Sequence, residues 1–231
     1  MNKEFEQMKK NTVDSEKQLK KSQYVTYINP EGTGKRIMFT GNSITLHGIK
    51  EDIGWHNEWG MAASSKEKDY VHRMISMIKE VSEDSAFCIC QVAEWERKYK
   101  NGGEFHTLFE AARAFDADII IMRFAENCPG EGFDGDSFKN ELDSFLKYLS
   151  GEKETKIIIS TPFWHHPADD KIIEYAEENK LPLVLLGDLG EKDEMKALGL
   201  FEHAGVANHP GDLGMEMIAK RLFDEVKEIL Y

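Results

Sequence analysis

Positive charge is what this sequence is shortest of: 29 Lys and Arg stand against 42 Asp and Glu, a formal net charge of -13 at pH 7. A nucleic-acid binder needs a basic face to neutralise phosphates, so nucleic acid is not an expected partner. Long apolar runs are missing too, and none approaches the roughly 20 residues that cross a bilayer. The opening stretch, MNKEFEQMKKNTVDSEKQLKK, has no apolar core of the kind a signal peptide or anchor requires. Neither a membrane partner nor export is therefore expected. Cysteine is scarce: Cys88, Cys90 and Cys128 are the only three. Their odd number and spacing give neither a disulfide framework nor a zinc site, which fits a reducing cytoplasm. Cys88 and Cys90 alternate within an apolar run, so both should face one side of a strand as small buried hydrophobes.

What remains is an ordinary globular balance of 31% charged and 41% hydrophobic residues over 231 positions, enough for one well-buried domain. Residues 1–25 read as a polar arm or loosely held helix, and 26–231 as the folded domain. Pro30, Gly32 and Gly34 punctuate the entry. Short apolar runs then alternate with helical periodicity. The expected strands are 36–40 (RIMFT), 86–92 (AFCICQV), 118–124 (DIIIMRF), 156–161 (KIIIST) and 182–186 (PLVLL). A helix is expected from Ser64, with Glu67 completing a capping box and Val71, Met74, Ile75 and Ile78 inward. Phe105 to Ala112, Phe138 to Leu149, Ile172 to Ala176 and a closing segment from Asp212 carry further helical stripes, and Asp212 is the expected cap of the last. Near-continuously apolar strands between amphipathic helices mean an α/β fold of three layers. Its core is a parallel sheet of about five strands in flavodoxin-like order, with ligands at the carboxyl ends of the strands.

That rule selects three places. The first strand runs into Gly41-Asn42-Ser43, the third into Glu126-Asn127-Cys128, and the loop before the last helix carries Asn208-His209-Pro210. A serine hydroxyl is a weak nucleophile until an imidazole takes its proton, and an amide with backbone N–H groups can hold the developing oxyanion. Each of these residues alone also fits a bland role: Ser43 and Asn127 as turn residues, His209 as a loop histidine, Cys128 as a packed thiol. His165-His166 do not make a metal pair, because adjacent side chains diverge and no further ligands are arranged around them.

Taken together, three segments resemble the SGNH (GDSL-like) hydrolases. RIMFTGNSIT is similar to the block that delivers the nucleophile, DIIIMRFAEN to the block ending in the oxyanion-hole Asn, and NHPGDLGMEMIAKRL to the His-containing block before the last helix. They stand in the family's order and cover most of the chain from Arg36 onward. The resemblance implies a carboxylic ester hydrolase with Ser43 as nucleophile, His209 as base and Asn127 in the oxyanion hole, without metal or organic cofactor. A thioesterase or acyltransferase, or a non-catalytic carbohydrate-binding relative, would show the same blocks.

Two positions depart from the pattern. The family's Asp three residues before the His is Val206 here, so a backbone carbonyl is expected to orient His209, with Glu126 as the candidate third member if a carboxylate does so instead. The family's glycine after the second strand is also missing, and the N–H of Glu94 is expected to take its part beside that of Ser43. Aromatic residues at strand exits (Trp55, Trp59, Trp95, Trp164), with His47, are candidate pocket walls. They point to small-molecule esters, short-acyl ones above all, and to acylated sugars among them.

Overall fold

The computed structural model describes residues 24–230, so all but the last two positions of the expected arm lie outside the described residues. Those two are not arm: Tyr24 packs against the core, and Val25 opens an edge strand. Six strands form one sheet: β1 (Val25–Ile28), β2 (Arg36–Gly41), β3 (Ala86–Gln91), β4 (Ile119–Arg123), β5 (Lys156–Ser160) and β6 (Leu183–Val184), in the order β1-β3-β2-β4-β5-β6. From β3 to β6 every pairing is parallel, and the order is the flavodoxin-like one. The expected count of five needs one correction. β1 adds an antiparallel edge, pairing Val25 with Cys90 and Ile28 with Phe87. It was not foreseen because its partner lies some sixty residues away and its four residues carry no period of their own.

Strand alternation sorts the core into two layers. On one face, Met38, Cys88, Cys90, Ile120 and Met122 meet Phe138, Leu142, Phe145 and Leu149 of a long helix at Gly135–Ser150 and Ile172 of another at Asp169–Asn179. On the other, Ile37, Phe39, Phe87, Ile89 and Ile121 meet Val71, Met74 and Ile78 of α1 (Tyr70–Val81) and Ile218, Leu222 and Val226 of the closing helix (Asp212–Leu230). Cys88 and Cys90 do share a face.

Four local expectations change. α1 starts at Tyr70 rather than at Ser64, because Asp69 is its cap, accepting His72 N–H at 2.7 Å. Ser64 is engaged elsewhere: its N–H and Oγ both donate to Asp212, at 2.8 and 2.7 Å. Asp212 therefore ties the closing helix to the loop after β2 and does not cap it. The stripe from Phe105 to Ala112 is mostly 3₁₀, within Tyr99–Phe109, before a single α-turn at Glu110–Arg113. The last strand shrinks to Leu183–Val184. No helix among the described residues is long and apolar enough to cross a membrane.

Candidate active site

The carboxyl ends of β2 and β4, where the strand order reverses, place Ser43 and Asn127 at one rim. β2 ends on Gly41, where a Cβ would meet Thr45 Oγ1 at 1.8 Å and the Arg123 carbonyl at 2.7 Å, so only glycine lets the chain turn there. The turn is closed by the N–H groups of Thr45 and Leu46 on the Asn42 carbonyl, both at 2.9 Å. Ser43 emerges from it half-buried.

Its Oγ lies 2.8 Å from His209 Nε2. The other ring nitrogen, Nδ1, lies 2.7 Å from the Gly205 carbonyl. A carbonyl only accepts, so Nδ1 carries the proton and Nε2 is the acceptor that faces the serine hydroxyl. Gly205 belongs to a one-turn helix, Ala204–Ala207, whose last carbonyls lack helical donors. The His209 N–H goes to Val206 instead, at 3.0 Å, which leaves the Gly205 oxygen free for the ring. Val206 is buried with Trp55, Met61, Ala62 and Ala197, so an apolar plug fills the place of the family's aspartate. Trp164 meets the imidazole edge to face, centroids 5.4 Å apart. Burial holds the imidazole well below its usual pKa, to about 4, against the opposing pull of the Gly205 carbonyl and the Glu126 charge. The ring is neutral at pH 7.

Beneath this pair lies a network of charge that sequence reasoning missed. Arg123, fully buried, donates from both Nη1 and Nη2 to Glu126, and from Nη2 to Asn42 Oδ1 at 2.7 Å. Glu126 also accepts Asn42 Nδ2 at 2.6 Å and Phe163 N–H at 2.9 Å. Burial opposes its ionisation, but the guanidinium prevails and holds its pKa below the usual carboxylate value. With both oxygens spent this way, Glu126 makes no bond to His209, and the third-member role has no geometry behind it. Glu96, on a short helix α2 (Ala93–Arg97), is pushed upward by burial and by the neighbouring Glu126. It accepts from Asn42, Ala125 and Asn127. Arg123 had left a trace in the sequence, a charge inside the apolar run DIIIMRF, where a buried cation demands partners. Glu96 had none, sitting in the charged string EWER.

A cavity of about 200 Å³ opens over Ser43 and His209. Asn127 and His47 line it, with Gln91, Ala93 and Arg97 on one strand exit, Ile53 and Met61 from the segment after β2, and His203, Gly205 and Val206 from the one-turn helix and its cap. Glu94 does not; its carboxylate pairs with Lys98 at 2.5 Å. The nearer N–H of Ala93 is bonded to Gln91 Oε1 at 3.0 Å. The aromatic expectation fails in large part. Trp95 is a core residue stacked 4.9 Å from Phe145, Trp55 is fully buried, and Trp59 donates to the Ala63 carbonyl at 2.9 Å, so none of the three lines the cavity. Each tryptophan ring covers apolar surface that the neighbouring loop or helix would otherwise expose. Cys128 is a packed thiol, its pKa raised by burial. His165 faces Asp169 and Glu191, and His166 the Cys128 carbonyl, so the two rings diverge. Among the described residues no group of three or more His, Cys, Asp or Glu is placed to hold a metal ion.

No protein-family model matches the chain, and no curated protein matches its sequence. Solved structures do. A two-domain esterase active on acetylated mannans, co-crystallized with mannopentaose, matches with a TM-score of 0.57 at 13% identity, over 87% of this chain and 52% of that one. The present chain thus spans about half the length of that esterase. A carbohydrate esterase family 3 protein from Talaromyces cellulolyticus matches with a TM-score of 0.52 at 12% identity, over 85% and 98% of the two chains. A member of the lipolytic protein G-D-S-L family from Veillonella parvula DSM 2008 gives 0.50 at 14% identity, over 82% and 96%. At these identities the likeness is one of architecture: the chain has the fold shared by GDSL-type lipolytic proteins and carbohydrate esterases.

Proposed function

We propose that this protein is a carboxylic ester hydrolase working through a serine acyl-enzyme. The observation that carries the reading is the 2.8 Å approach of Ser43 Oγ to a His209 Nε2 whose tautomer is fixed by the Gly205 carbonyl. Ser43 Oγ attacks the ester carbonyl carbon and its proton passes to Nε2. The oxyanion is met by Asn127 Nδ2, which has a second hydrogen beyond the one given to Glu96, and by the Ser43 N–H. When the tetrahedral adduct collapses, His209 returns the proton to the leaving alkoxide. Water, deprotonated by the same nitrogen, then releases the acid and restores the serine. Nothing in the sequence of steps calls for a metal or organic cofactor.

Substrate size follows from the cavity. About 200 Å³ suits a short acyl group, and its lining joins apolar side chains (Ile53, Met61, Val206) to hydrogen-bonding ones (Gln91, Arg97, His203). That mixture fits an acetyl methyl beside the hydroxyls of a sugar, and two of the similar structures are carbohydrate-directed esterases. The test is hydrolysis of 4-nitrophenyl acetate and of acetylated oligosaccharides by the wild type and by Ser43→Ala. A loss on the order of 10⁴-fold with the fold retained is expected. Activity near the wild-type level in the variant would remove Ser43 from the mechanism.

A further inference from the structure

Asn127 reaches the cavity from a turn that its own sequence does not favour. Ala125, two residues earlier, has φ +118°, a conformation L residues rarely adopt unless the surroundings impose it. One carboxylate spans this turn. Glu96 Oε1 accepts the Ala125 N–H at 2.6 Å and the Asn127 N–H at 3.4 Å, while Oε2 accepts Asn127 Nδ2 at 2.7 Å. Oε1 also takes Asn42 Nδ2 at 2.9 Å.

Stability alone does not account for this group. Glu96 is fully buried, and the network sets two carboxylates against the single guanidinium of Arg123, which bonds Glu126 and not Glu96. A buried carboxylate without a cation of its own is more often a cost than a gain. What it does supply is direction. A carboxylate only accepts, so the Asn127 amide must turn its nitrogen towards Glu96. One Nδ2 hydrogen is used there, and the other is left for the cavity.

We propose that Glu96 is the positioning residue of the oxyanion side. Its buried carboxylate holds the strained turn and fixes the Asn127 amide with Nδ2 as a donor towards the developing negative charge. The inference rests on the serine-hydrolase reading above.

Glu96→Gln, nearly isosteric, separates direction from packing. The new side-chain oxygen belongs where Oε1 now receives Asn42 and Ala125, which sends the NH₂ group to Asn127. Asn127 must then turn its own oxygen to that NH₂ and meet the oxyanion with an acceptor. The expected result with 4-nitrophenyl acetate is a kcat lower by about 10²–10³-fold and a KM within about threefold of wild type, the signature of an interaction made in the transition state. In an Asn127→Ala background the same change should cost less than about threefold, because its target is gone. Losses that multiply in the double variant, or a Glu96→Gln enzyme with wild-type kcat, overturn the proposal while leaving the serine hydrolase standing. Glu96→Ala, which leaves Arg123 and Glu126 balanced, runs the same cycle with the same criteria if the amide variant does not fold. A wild-type protein that neither turns over esters nor forms a fluorophosphonate adduct on Ser43 overturns both the function and this role.

Discussion

Lowering the pH tests how His209 is held. In the free enzyme the imidazole must be neutral to take the Ser43 proton, so kcat/KM should fall as pH drops through the folded-state pKa of His209. Burial against Trp164 and the loop before the closing helix places that pKa at about 4. The Gly205 carbonyl and Glu126 pull upward, and His47 and Arg123 pull downward, without reversing the effect. With a pKa of about 4, about 97% of the imidazole is still neutral at pH 5.5, whereas an ordinary histidine of about 6.5 would be only about 9% neutral. The gap between the two cases is roughly tenfold in rate. The assay is kcat/KM for a non-ionising acetate ester from pH 3.5 to 8, each sample returned to pH 7.5 to exclude irreversible unfolding. Near-constant activity down to pH 5.5, with the acid limb centred near 4, is expected. A limb centred at or above 6.5 would mean that the ring is solvated or paired with a carboxylate, and the account of a carbonyl-held, buried base would be wrong. The same shift sets a stability trend. The folded pKa is depressed, so between about 6.5 and 4 the unfolded chain binds more protons, and His209 lowers stability as pH falls through that window.

Further consequences concern the groups around the pair. Glu126→Gln should change kcat/KM by less than about tenfold, since Glu126 faces Arg123, Asn42 and Phe163 rather than His209, whereas loss of a true third member would cost on the order of 10⁴. Arg123→Met should destabilise the fold by about 3–5 kcal/mol in urea titrations, because buried Glu126 loses the guanidinium it is paired with. That deficit should shrink in acid, where the stranded carboxylate, its pKa raised, takes up a proton. A cost below about 1 kcal/mol would show that the network is solvated. Lengthening the acyl group from acetyl to octanoyl should lower kcat/KM by at least about tenfold, as a cavity of about 200 Å³ has little room for the longer chain beside the alcohol. A preference for octanoyl would contradict the size argument.

Much of the architecture was legible because it is local. Each parallel strand is an apolar run that ends at a turn residue, and Gly41, Asn127 and His209 follow from the rule that places sites at carboxyl ends. β1 was not legible, since an edge strand of four residues is defined by its distant partner Cys90 and not by a pattern of its own. The tryptophans show the limit of reading function from residue type. Trp95 follows a strand exit as a pocket wall would, but it opens onto Phe124, Phe138 and Phe145 inside the core. Val206 was readable as a missing aspartate, and a carbonyl was the expected substitute. That the carbonyl is Gly205 depends on a one-turn helix too short to announce itself. Glu96 was illegible because its burial comes from contacts to Asn42, Ala125 and Asn127, on two other elements.

Mass spectrometry of the protein after brief exposure to a fluorophosphonate decides whether Ser43, activated by His209, is the nucleophile that attacks ester carbonyls. A single adduct on the peptide carrying Ser43 is expected, formed by the wild type, abolished in Ser43→Ala and slowed at least about 10³-fold in His209→Ala. An unlabelled wild type, or an adduct on another residue that survives Ser43→Ala, would contradict that role.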